Sequence, residues 1–292
     1  MSLSERFRFL LPPRFRKQHP VVPVVRLSGV IGGAVPFRQG LSIAAVAPAL
    51  ERAFAVRGAR AVAVVVNSPG GSAAQSHLIF RRIRALAEEK ALPVFAFIED
   101  AGASGGYMIA CAGDEIFCDP SSLVGSIGVV SAGFGFDKLI ERFGIERRLH
   151  TAGTSKAMLD PFRPERPEDV ARLKGIQEQV HGMFTALVEE RRGAKLKGER
   201  GELYSGAVWA GGEALGLGLV DGLGDLRTVM RERFGEKVEL KPVAVARPGL
   251  LARLMGRREP TVADGPIGAG LIDPADLVAA LEERAAWARI GL

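Results

Sequence analysis

Cysteine is nearly missing from this 292-residue chain. It has two, Cys111 and Cys118, both in apolar surroundings. Two thiols seven apart make neither a disulfide framework nor a zinc site, so they read as buried and inert. No run of about 18 apolar residues occurs, so no membrane span is expected. The N-terminus has charge but no apolar core of about 7–15 residues ahead of a small-residue cleavage site, so no secretory signal is read. The phosphate-loop spacing GxxxxGK[ST] is missing. Histidine is scarce: His19, His77, His150 and His181 are the whole set. Basic residues are not interleaved with aromatics, which argues against nucleic acid as a partner. These absences leave a cytoplasmic protein without metal or cofactor.

What is there is glycine, 36 residues of it, which implies tight turns and close backbone approaches. Net charge is +6, from 39 basic and 33 acidic residues, and part of the excess sits near the ends. One cluster is Arg6, Arg8, Arg14, Arg16 and Lys17, and the other is Arg247, Arg253, Arg257 and Arg258. Solubilising tails are the favoured reading over peripheral contact with the inner face of an anionic membrane, because Pro12-Pro13 breaks any long amphipathic helix there.

Three stretches follow from the patterning: a basic arm over 1–20, a main domain over 21–236, and an extension over 237–292. The main domain alternates apolar runs with helical patterns. Strands are read at 21–31, 59–68, 92–100 and 115–118, a short one in ERRLHT (146–151), and a late one at 238–246. Helices are read at 41–57, 72–90, 104–112 and 168–192, with helix, turn, helix over 211–235. The helix at 72–90 sets apolar Leu78, Ile79, Ile83 and Leu86 against Arg81, Arg82 and Arg84. This β-α-β rhythm gives an α/β fold of stacked βαβ units with a mostly parallel sheet. In the extension, a short basic helix, a linker at 259–273 and a last helix at 274–290, capped by Asp273 and opened by Pro274, complete the chain.

Two glycine-rich junctions follow buried strands. NSPGGS (67–72) exposes consecutive backbone N–H groups near a helix start, as a tight turn does and as an oxyanion site does. AGASGG (101–106) puts Ser104 where the next strand gives way to its helix. Binding sites of such sheets lie at that edge, so one loop offers a nucleophile and the other N–H donors. A serine hydroxyl needs a base. His19 lies in the arm, and His77 and His181 sit inside helical patterns. His150 stays open, and so does Lys156 in TAGTSKAMLDPF (151–162). A lysine titrates near 10.4, but burial disfavours its charged form and can free the amine to act as a base.

NSPGG, ASGGYMIA, VGSIGVV (124–130) and GTSKAMLDPF, in that order, resemble the S49 serine peptidases, the group that holds signal peptide peptidase A and SohB. The resemblance spans about residues 21–235. It implies the fold of Clp protease and the crotonases, with a spiral sheet covered on both faces. It implies Ser104 as nucleophile, Lys156 as general base and Ser126 as the hydroxyl that orients the lysine. Gly71 becomes the oxyanion-hole glycine, helped by the Gly105 N–H. Gly70, Ala103, Val129, Val130 and Met158, small or apolar and near these motifs, are the candidates for a substrate groove. The partners implied are peptides, cleaved through an acyl-enzyme, and further copies of the chain in a homo-oligomeric ring or dome, with catalytic residues drawn from neighbouring subunits or repeats. A crotonase-like acyl-CoA enzyme, a non-catalytic membrane scaffold and a Ser-His triad through His150 are the competing readings.

Overall fold

The computed structural model describes residues 19–32, 34–35, 38–245, 281 and 284–292. Most of the basic arm, the short basic helix, the linker and the start of the last helix lie outside the described residues.

In chain order the elements are β1 (Val21–Ser28), the hairpin β2 (Ala34–Val35) and β3 (Arg38–Gln39), α1 (Ile43–Phe54), β4 (Val62–Ser68), α2 (Ala73–Lys90), β5 (Val94–Ala103), α3 (Gly105–Ala110), β6 (Glu115–Cys118) and β7 (Leu123–Gly125). Then come α4 (Asp137–Arg142), α5 (Pro167–Arg192), α6 (Arg200–Leu203), β8 (Val208–Ala210), α7 (Gly211–Gly216), β9 (Gly222–Leu223), α8 (Leu226–Phe234) and β10 (Glu239–Pro242).

The expected α/β class is what the chain adopts. One sheet runs β10-β1-β4-β5-β6-β9, with β7 beside β5 and β8 beside β7. Every pairing in it is parallel except β7 with β8. The run VAVVVNS explains why β4 lies at the centre. Its β-branched residues suit a pleated surface, and both faces are covered. Val62, Val64 and Val66 enter the core shared with α1, α2 and α3, while Ala63 and Val65 enter a second core with Phe95, Phe97 and Val229. Burying each such side chain contributes about 1.5–3 kcal/mol.

β5 does more than the sequence reading gave it. Phe95–Ile98 pair with β6, and the strand then continues past Asp100 so that Ala101–Ala103 pair with β7. Two successive partners on one edge turn the sheet there. Opposite the turn, the β4–β5 ladder shifts register between Val66 and Ser68. The Asn67 side chain bridges the irregularity, donating to Asp100 at 2.6 Å and accepting from the Ala101 N–H at 3.2 Å.

The helices follow local signals. The Ser72 hydroxyl accepts from the Gln75 N–H at the start of α2, and Ala91 closes it in the left-handed region at φ 50°. Ile79, Ile83, Leu86 and Ala87 form its buried stripe, whereas Leu78, expected on that stripe, is 45% exposed. ERRLHT forms no strand, and its residues are largely exposed. With Leu149 as its one apolar residue it has no face to bury in a sheet, and most of residues 129–166 are exposed. Phe134, Phe143 and Ile145 in this stretch are 79%, 71% and 58% exposed.

Candidate active site

The two glycine junctions meet as the topology requires. Ser68 pairs with Gly102, so Pro69-Gly70-Gly71 leaves β4 beside Ala103-Ser104-Gly105 leaving β5. Ala103 in turn pairs with Gly125. The next residues, Ser104 and Ser126, therefore emerge side by side from neighbouring strand ends, on strands that lie about 4.8 Å apart. Both adopt φ 52°, a value that costs a non-glycine residue roughly 1–3 kcal/mol. The strain is held by bonds on the strand side: the Ser104 N–H donates to the Gly125 carbonyl at 2.7 Å, and the Ser126 N–H to the Ala207 carbonyl at 2.6 Å.

Turn chemistry does not account for Ser104. Ser42 and Ser72 cap their helices through their hydroxyls, but Ser104, at the same position on α3, makes no side-chain cap. Its Oγ is free to face the cavity. A sharp strand-to-helix turn that presents an unengaged hydroxyl is the geometry of an exposed nucleophile.

The helix behind Ser104 is fixed at its far end. The Cys111 and Gly113 carbonyls accept from Arg191, and the Ala112 carbonyl accepts from Arg84, each at 3.0 Å. These cations satisfy carbonyls that a helix end leaves without partners. Tyr107 donates to the Leu219 carbonyl at 2.8 Å. Arg192, 2% exposed, binds Asp221 at 2.6 Å. Burial works against the Asp221 carboxylate, but the hydrogen bonds from Arg192 and Lys195 outweigh it and hold the group below the usual carboxylate range. Cys111 and Cys118 are buried and form no disulfide, and burial pushes both thiols up to about 12.

The glycines of the first loop are needed for space. A Cβ on Gly70 would lie 2.7 Å from the Ser104 Cβ, and one on Gly71 would lie 2.2 Å from the Ile31 carbonyl oxygen. Gly71 has φ 137°. Among the described residues, neither the Gly71 N–H nor the Gly105 N–H donates to an acceptor. Two unengaged N–H groups flanking a free hydroxyl can receive a developing oxyanion.

Ser104, Ser126, Gly70, Gly71, Gly105, Val129 and Val130 all line one cavity of about 620 Å³. Ala103 is wholly buried beneath it, and Met158 lies outside its lining. Lys156 is exposed and also outside the lining. His150 is exposed in the 129–166 stretch. His181 lies 3.3 Å from the Ile127 carbonyl through Nε2 and ties α5 to the Ser126 loop. Among the described residues, Arg289 is the one charged side chain that lines the cavity. The sequence reading missed Val180 and Phe184 of α5 and the wall at Ser205, Gly206 and Val208. Their helical and turn patterns are visible, but the face each presents depends on packing.

A family model described as peptidase family S49 matches residues 86–240, more than half of the chain and all of the Ser104, Ser126 and Lys156 motifs. The chain is 50% identical over 300 residues to a Na(+)/H(+) antiporter NhaA of Brucella abortus, a match covering all of this chain and 40% of that protein. It is 34% identical over 168 residues to the chloroplastic serine protease SPPA of Arabidopsis thaliana, covering 57% of this chain and 24% of the plant protein. The chain thus spans well under half of either relative. Among the described residues no helix is long and apolar enough to cross a membrane. A solved membrane-bound stomatin-specific protease superposes over 81% of this chain and 96% of its own, with TM-score 0.43 and 15% identity. By the extent of the family match, and by its coincidence with the strand ends that carry both serines, the chain belongs to peptidase family S49.

Proposed function

We propose that the chain is a serine endopeptidase that cuts unstructured, apolar peptides through a Ser104–Lys156 dyad. The observation that carries the reading is the Ser104 hydroxyl, unused as a cap, held at φ 52° between the free N–H groups of Gly71 and Gly105.

The base comes from a neighbouring copy. No acid, lysine or histidine among the described residues lines the cavity, and Lys156 sits in a stretch rich in exposed apolar side chains. Such a surface is suited to burial against another subunit. Docking of that stretch at the cavity of the next copy would shield the amine from water, which favours the uncharged form a base requires. A homo-oligomeric ring or dome is the assembly this implies.

In the reaction, the Lys156 amine takes the Ser104 proton as Oγ bonds to the scissile carbonyl carbon. The oxyanion is received by the two N–H groups. Collapse breaks the C–N bond, and the leaving amine takes the proton back from Lys156. Water then attacks the acyl ester, giving a proton to Lys156 and releasing the acid, and Ser104 recovers its own. In this reading Ser126, which lines the same cavity as Ser104, hydrogen-bonds the lysine and orients it. The walls at Val129, Val130, Val180 and Phe184 suit small or apolar substrate side chains.

The test is hydrolysis of an unstructured fluorogenic peptide, together with labelling by a serine-reactive phosphonate. Wild-type protein is expected to cleave and to carry the label on Ser104. Ser104→Ala and Lys156→Ala are each expected to be inactive. Undiminished cleavage by either variant removes that residue from the mechanism. Absence of any label on Ser104 removes covalent catalysis and returns the acyl-CoA alternative.

A further inference from the structure

One wall of the cavity is a later turn of the same chain. Residues 284–288 are helical, and Ala286, Arg289 and Ile290 line the same cavity as Ser104 and Gly71. Their spacing, i, i+3 and i+4, places them on one face of a helical turn. On that face Ala286 and Ile290 are half-buried and Arg289 is exposed, and Trp287, outside the lining, is half-buried as well. The turn closes on itself, with the Ile290 and Leu292 N–H groups both donating to the Trp287 carbonyl, at 3.0 and 3.2 Å. Ala286 and Ile290 thus add apolar surface, and Arg289 a charged side chain, to the wall of the groove that would receive a peptide.

We propose that the 284–290 turn is an internal competitor of substrate: it covers part of the groove in the resting protein and must be displaced before a peptide settles against Ser104. This rests on the peptidase reading for the identity of the groove, and it adds regulation that the reading does not contain. The segment and a substrate exclude one another, so the apparent affinity for peptide is lowered by the fraction of molecules in which the groove is free. The ligand class able to displace it is an apolar peptide with small residues, the chemistry of Ala286 and Ile290.

The experiment measures binding and not turnover. A fluorescein-labelled, unstructured peptide rich in alanine, valine and leucine is titrated by anisotropy into Ser104→Ala and into Ser104→Ala carrying Ala286→Glu and Ile290→Glu. The expected result is a Kd about tenfold lower in the triple variant, from release of the competing state. A synthetic peptide of residues 281–292, added in trans to the triple variant, is expected to displace the probe. This second arm needs no stable contact in the parent. Equal Kd values, with no displacement by the synthetic peptide, overturn the proposal. If the tightening occurs and wild-type protein never cleaves, occupancy of the groove stands and the peptidase reading falls. If wild-type protein cleaves and neither binding effect appears, the reverse holds.

Discussion

Replacing Gly71 with alanine tests how the first loop is built. The new Cβ would lie 2.2 Å from the Ile31 carbonyl oxygen and 2.8 Å from its nitrogen. Ile31 cannot yield freely. Its N–H donates to the Gly70 carbonyl, and its carbonyl accepts from the Ser72 N–H, both at 2.8 Å. Losing those two bonds costs about 0.5–1.5 kcal/mol each, and φ 137° adds roughly 1–3 kcal/mol for a residue with a side chain. The variant is expected to lose about 2–6 kcal/mol of stability, which lowers Tm on the order of 10 °C. Whatever folds has its N–H displaced from the cavity, so kcat is expected to fall about 10²–10³-fold. The assay is thermal unfolding by circular dichroism, with peptide hydrolysis on protein verified as folded at the assay temperature. Gly175→Ala is the control. It lies inside α5 with nothing within 4 Å of an added Cβ, so it should gain about 0.5–1 kcal/mol and keep full activity. A Gly71→Ala protein with wild-type Tm would refute the packing argument, and wild-type kcat would refute the oxyanion role.

Other expectations follow from the core. Asp221→Asn leaves Arg192 buried without its counter-charge and should cost roughly 3–5 kcal/mol near neutral pH. The Asp221 carboxyl is held low in the folded state, so its contribution is present above the unfolded carboxylate value of about 4 and is lost as pH falls through the lower, folded value. Denaturant midpoints of wild type and variant should converge in acid, and a constant gap would contradict the assignment. Cys111 and Cys118, held protonated near about 12 by burial, should resist a thiol reagent in native protein at pH 8 and react fully in denaturant. Rapid native labelling would mean the core opens locally.

Much of this site was legible because its signals are local. Consecutive β-branched residues in VAVVVNS declared a strand buried on both faces, and glycines around Ser104 declared a close approach. What escaped has non-local causes. β7 and β8 are three residues each, too short to show a period of two, yet β7 places Ser126 beside Ser104. The continuation of β5 to Ala103 depends on that second partner. ERRLHT shows the converse: it reads as a strand, but with one apolar residue, Leu149, it has no face to bury and stays largely exposed. His181, read as helix filler, reaches a carbonyl 54 positions away, a contact that helical spacing cannot reveal. That Ala286 and Ile290 line the groove carries no signal in the segment beyond an ordinary amphipathic turn.

Mixing two inactive proteins tests the central claim most directly. Ser104→Ala and Lys156→Ala, each purified, are dissociated, combined and allowed to reassemble, and hydrolysis of the fluorogenic peptide is followed. If one copy's amine serves the next copy's hydroxyl, some interfaces in the mixture regain both groups, and activity should return where neither parent has any. A mixture that exchanges subunits and stays as inactive as its parents contradicts the shared site.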